Sequence, residues 1–129
     1  MVISSELMEQ TTKKNVIKGI VKPGQGQGQA LGAKTANLDV ALAAKLAPGL
    51  YLSKVILGNA TYQGLLYYGY NMLSQTVCLE VHLLDFTGDI YGKQIAVTTE
   101  RYLRLPKKFD SLEELAGQIK KDLAVIKVL

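Results

Sequence analysis

Val77-Cys78-Leu79-Glu80-Val81-His82-Leu83-Leu84-Asp85 alternates with a period of two. Val77, Leu79, Val81 and Leu83 share one side of an extended chain, and Cys78, Glu80, His82 and Leu84 share the other. The reading is a β-strand from Thr76 to Phe86, the longest clear strand in the sequence, with one apolar face for a core. An acidic residue in mid-strand between strongly apolar neighbours is unusual. Partial burial there would raise its pKa towards that of a general base, whereas the competing reading is a solvent-facing Glu80 on an outer strand.

Working outward, the same period recurs. Val16 to Val21 is short and β-branched, and Lys22-Pro23-Gly24 closes it as a strand ending in a loop. Leu38 to Leu46 is alanine-rich and allows a turn of helix before Pro48-Gly49. Leu50 to Leu57 then reads as a strand, Gly58-Asn59 as a turn, and Thr61 to Tyr70 as its antiparallel partner. Gly69 to Ser74 reads as the next connection and Thr87-Gly88-Asp89 as another turn. Ile95 to Leu105 gives a further strand, stopped by Pro106. Beyond it the period changes. Ser111 with Glu114 forms a capping box, and Leu112, Leu115, Ala116, Ile119, Leu123 and Ile126 recur at helical spacing. Five or six antiparallel strands with two open edges predict a mainly β fold: a small Greek-key barrel with this C-terminal helix packed on its outside.

The whole chain sets the limits. Its 129 residues, 48% of them apolar, fit a single domain over 1–129, with residues 1–14 as a possible frayed end. Fifteen basic residues against 11 acidic ones give a formal charge of +4, but they are scattered. The local excess at Lys13, Lys14, Lys18 and Lys22 has no interleaved aromatics, so it reads as a solvated face and not as a nucleic-acid stripe. One cysteine, Cys78, allows neither an intrachain disulfide nor a multi-thiolate metal site. No run approaches a signal peptide or a membrane span. The expectation is a soluble cytoplasmic protein without membrane or nucleic-acid partners, and a monomer. His82 is the only histidine. It reads as a hydrogen-bonding residue of the barrel, and Cys78 as a small apolar one.

One loop stands apart. Gly24-Gln25-Gly26-Gln27-Gly28-Gln29-Ala30-Leu31-Gly32 carries four glycines in nine residues, and Ala33-Lys34-Thr35-Ala36-Asn37 follows. Glycines let successive amides converge on an anion, and Thr35 and Asn37 offer oxygens to a hard cation such as magnesium, which points to a nucleotide. A flexible surface loop is the plainer alternative. The Walker pattern fails because Ala33 separates Gly32 from Lys34, and the dinucleotide pattern fails in its third interval.

Taken in order, several segments resemble riboflavin kinase. They are Gly32-Ala33-Lys34-Thr35-Ala36-Asn37, Pro48-Gly49-Leu50-Tyr51, Glu80 to Phe86 with Asp89-Ile90-Tyr91-Gly92, and Leu103-Arg104 with Phe109-Asp110-Ser111. The match runs from about residue 16 to 125, and it implies a six-stranded antiparallel barrel that transfers the γ-phosphoryl group of ATP to the 5′-hydroxyl of riboflavin, giving FMN and ADP. The resemblance further implies that Gly24, Gly26 and Gly28 hold the nucleotide together with Thr35 and Asn37. The same Thr35 and Asn37 would bind Mg2+ or another divalent cation. Glu80 would be the catalytic carboxylate, and Arg104 and Phe109 would border the flavin. With no upstream nucleotidyltransferase segment in this sequence, the likeness is to the stand-alone kinase. The chain departs from the family pattern at Lys34, where proline is usual, at Gln27 and Gln29, where arginines are near, and at Tyr67 to Asn71. A barrel that binds flavin or nucleotide with little or no turnover is therefore the second reading.

Overall fold

A computed structural model of the chain describes residues 14–22, 34–71 and 75–106, with single positions at Glu114, Gly117, Gln118, Lys120, Lys121 and Ala124. The described residues hold six strands: β1 Val16–Ile20, β2 Lys34–Leu38, β3 Gly49–Leu57, β4 Ala60–Asn71, β5 Thr76–Leu83 and β6 Gln94–Arg104. A short 3-10 turn, Val40–Ala43, follows β2. Asp39 caps it by accepting from the Ala41 amide at 3.0 Å.

The strands form one sheet in the order β1-β6-β3-β4-β5-β2, and every pairing is antiparallel. The β3-β4-β5 meander is flanked by β2 next to β5 and by β6 next to β3, so two Greek keys share the same three strands. The sheet curls into a half-barrel. Its edges meet at a single bridge, Lys22 to Asn37, where the Lys22 amide donates to the Asn37 carbonyl at 2.8 Å.

Alternation decides what fills the inside. Ala36, Leu38, Tyr51, Val55, Leu66, Leu79, Val81, Leu83, Ile95 and Val97 point inward from five strands and are almost wholly buried together. Ile17 and Val21 join them, and Ala43 and Leu46 after β2 add to the same core. Tyr51 enters this core because its hydroxyl donates to the Ala47 carbonyl and its ring meets Tyr102 edge-on, centroids 5.0 Å apart. A second apolar cluster, Leu50, Leu52 and Leu65, lies on the opposite face of β3 and β4.

Three expectations change. Residues 34–38 are a strand and not the tail of a loop, because Ala36 and Leu38 have an inner wall to bury while Thr35 and Asn37 face out. Gly69 to Asn71 belong to β4 and not to a connection, since they pair with Cys78, Val77 and Thr76. The turn instead involves Gln75, which takes a φ of 56°. β4, with 12 residues, therefore outruns β5, with 8. β5 stops at Leu83 because Asp85 turns left-handed, φ 56°, and breaks the ladder. At the carboxyl end the six described positions take helical backbone. The rest of residues 107–129 lie outside the described residues, so no continuous helix and no packing of one on the barrel is among the elements found.

Candidate active site

The strand at 34–38 creates the site. Paired residues of an antiparallel ladder project to the same side, so β2 against β5 sets Asn37 opposite Glu80 and Thr35 opposite His82. On its other side Glu80 faces Tyr67 of β4, Tyr67 faces Leu50 of β3, and Leu50 faces Arg104 of β6. Asn37, Glu80, Tyr67, Leu50 and Arg104 thus form one row across the outer wall.

Arg104 reaches this row through an irregularity. The β3-β6 register shifts between Leu50 and Tyr51, so Tyr102 pairs with Tyr51 on the inner side while Arg104 pairs with Leu50 on the outer one. A bulge of this kind re-aims a side chain that strict alternation would send inward. The Arg104 guanidinium, which also donates to the Leu105 carbonyl at 3.0 Å, lies close enough to lower the pKa of Tyr67. Burial outweighs it and pushes the Tyr67 phenol up to about 12, so the hydroxyl stays protonated and donates to the Tyr70 carbonyl at 2.8 Å.

Glu80 is partly buried, and burial raises its pKa above the ordinary carboxylate value; hydrogen bonds with Cys78 and Asn71 pull in the opposite direction. The carboxylate therefore stands in a low-dielectric place with two protein partners that orient it. Cys78 is pushed up to about 12 by burial and by the neighbouring Glu80 charge, so it is a thiol and a hydrogen-bonding neighbour. His82 is buried, and its Nδ1 lies 3.1 Å from Thr35 Oγ1, which fixes the hydroxyl on the outer wall. The structural role read for His82 agrees with that contact.

Of the residues singled out in the sequence, Thr35, Asn37 and Glu80 come together, and Arg104 ends the same row two strands beyond Glu80's neighbour Tyr67. Gly24, Gly26, Gly28 and Phe109 lie outside the described residues. Sequence reading missed Asn71 and Tyr67 as neighbours of Glu80. The signal was available only as alternation: Tyr67, Gly69 and Asn71 lie on one side of a strand, as Cys78 and Glu80 do on the next. Among the described residues no group of three or more His, Cys, Asp or Glu could hold a metal. A hydroxyl and an amide oxygen beside a carboxylate nevertheless fit a magnesium ion, which keeps several waters and shares substrate phosphates instead of filling an all-protein cage.

Fold and row together define a class: a small Greek-key β protein whose interior is filled by side chains and whose outer wall carries a row that includes Asn37, Glu80, Tyr67 and Arg104. The sequence model of the family described as flavokinase, riboflavin kinase, matches residues 11–129, and the chain belongs to that family. It is 40% identical over 111 residues to the trifunctional protein RibF/MnmA of Mycoplasmoides gallisepticum, covering 82% of this chain and 17% of that protein. It is 34% identical to the bifunctional riboflavin kinase/FMN adenylyltransferase of Listeria monocytogenes over 111 residues, 81% of this chain and 35% of that one. The crystal structure of riboflavin kinase from Trypanosoma brucei superposes with a TM-score of 0.60 at 20% identity, over 89% of this chain and 78% of the other, which establishes the shared fold. The chain spans about a third or less of the length of these two sequence relatives.

Proposed function

We propose that this chain is a riboflavin kinase, transferring the γ-phosphoryl group of ATP to the ribityl 5′-hydroxyl of riboflavin to give FMN and ADP. The observation that carries the reading is the direct pairing of Asn37 with Glu80, which sets a carboxylate beside the polar residues of β2 on one wall. Phosphoryl transfer needs positioning and charge neutralisation more than covalent chemistry, and these residue types supply both.

In this reading Glu80 accepts the proton of the ribityl hydroxyl as that oxygen attacks the γ-phosphorus and the bond to the β-phosphate oxygen breaks. Cys78 and Asn71 hold the carboxylate in place through their hydrogen bonds. Thr35 and Asn37 are the residues that would hold Mg2+, with His82 fixing the Thr35 hydroxyl. When bound, the ion neutralises charge on the phosphates. Arg104 borders the flavin side of the row, and Phe109 and the glycines at 24, 26 and 28 complete the assignment as the resemblance gives it. In this reading the kinase domain acts in the cytoplasm, as a monomer, on small molecules. Among the described residues no helix is long and apolar enough to cross a membrane.

Purified protein incubated with riboflavin, ATP and Mg2+ should release FMN, read by chromatography and fluorescence. No FMN with any nucleoside triphosphate or common divalent metal would overturn the assignment. Glu80→Gln should lower kcat by about 100- to 10,000-fold, the usual worth of a general base, with nucleotide affinity nearly unchanged. A variant as active as the parent would remove Glu80 from that role.

A further inference from the structure

The row on the outer wall does not end at Asn37. Beyond β2 the next backbone is that of Lys22, whose bridge to Asn37 closes the half-barrel. Residues paired across an antiparallel bridge project to the same side, so the Lys22 side chain shares the wall of Asn37 and Glu80. Burial agrees: Val21 is 1% exposed and fills the core, which sends the next residue outward, and Lys22 is exposed.

The position is also fixed. The Val21 amide donates to the Lys93 carbonyl at 2.9 Å, its carbonyl accepts from the Gly92 amide at 2.8 Å, and the Lys22 amide donates to Asn37 at 2.8 Å. The ammonium therefore swings on a flexible stem from an anchored Cα two strand spacings, about 10 Å, from that of Glu80.

Charge gives this placement its meaning. Thr35, Asn37 and Glu80 together carry one negative charge and no positive one, yet the reading above puts a polyphosphate against them. A single Mg2+ would offset only part of a triphosphate's charge, so a protein cation at that edge adds to its binding, and Arg104 stands at the opposite end of the row, beyond Tyr67 and Leu50. We infer that Lys22 is a nucleotide-binding residue, its ammonium pairing with the polyphosphate of the triphosphate substrate at the seam where the half-barrel closes. This rests on the kinase reading, and it turns Lys22 from part of a solvated basic face into a determinant of nucleotide affinity.

The test is a graded series at position 22, with Lys18→Gln as control. Lys18 is a likewise exposed lysine of β1 that pairs with Ala96 instead of a site residue. Lys22→Gln should weaken binding of a non-hydrolysable ATP analogue with Mg2+ by about tenfold in calorimetry and raise KM for ATP likewise, with kcat and KM for riboflavin changed less than about threefold. Lys22→Arg should restore binding to within about threefold, and Lys22→Glu should lose more than Lys22→Gln. The bridge uses only backbone atoms, so thermal stability should stay with the parent across the series. Analogue affinity unchanged in Lys22→Gln, or lowered equally by Lys18→Gln, overturns the inference even if the parent makes FMN. A parent that makes no FMN yet shows the Arg, Gln, Glu ordering in analogue binding retains Lys22 as a phosphate ligand and loses the kinase reading. A parent that does not bind the analogue ends both.

Discussion

At the scale of single residues, Glu80 carries a conflict between stability and chemistry. Burial raises its folded pKa above the unfolded value, so the folded state holds the proton more tightly. The stability from that difference is fully present below the unfolded pKa, about 4.3, and is lost as pH rises through the folded one. A base must be ionised, so the protein works where this contribution is gone. Glu80→Gln, neutral throughout, should therefore gain melting temperature relative to the parent at pH 8, with the gap narrowing towards pH 4. Scanning calorimetry at both pH values would show it, and a gap that widens on acidification would contradict the burial argument. Cys78 follows the same physics with a different outcome. With its thiol pushed up to about 12, iodoacetamide near pH 8 should modify it roughly a thousandfold more slowly in the folded protein than in the urea-unfolded chain, measured by mass spectrometry.

At the scale of elements, the start of β3 and the end of β6 depend on one another. Gly49 takes a φ of 153°, and a Cβ there would stand 2.5 Å from the Tyr102 hydroxyl and 2.6 Å from the Arg104 carbonyl oxygen. The hydroxyl in turn donates to the Pro48 carbonyl at 2.8 Å, so the strand entry and the bulge that aims Arg104 are held by one contact set. Gly49→Ala should cost about 2 kcal/mol in urea unfolding, and it should impair riboflavin use more than nucleotide use, because the disturbed end of the row is that of Arg104. Much of this level was legible. The alternation at 50–57, 61–70 and 76–86 named β3, β4 and β5 to within a few residues, because each has one face in the core. The strand at 34–38 was not legible as one. Thr35-Ala36-Asn37 carries polar residues suited to a loop, and its inner residues gain burial only once β5 lies beside them. The bulge at Leu103 was likewise invisible, since it exists only as a mismatch between two strands far apart in sequence.

At the scale of the whole molecule, the core is shared by all six strands, so its loss is felt everywhere. Leu66 is fully buried in that core, and Leu66→Ala should cost about 3 kcal/mol in a single cooperative urea transition followed by both fluorescence and circular dichroism. Separate transitions by the two probes would show that the half-barrel does not unfold as one unit. What the sequence determined by itself was local: the period of two, the turn at Gly58-Asn59 and a connection around Gly88, the β class, and a short list of residue types able to handle a phosphate. Those follow from backbone geometry and side-chain chemistry within a few positions. The tertiary structure decided which of them meet. Residues 37 and 80 are neighbours because β2 returns to lie on β5, and Lys22 joins them because the sheet curls until the segment leaving its first strand bridges to its second. Strand order and register are set by how the apolar faces of the entire sheet bury one another, a cooperative choice that no stretch of the chain contains alone.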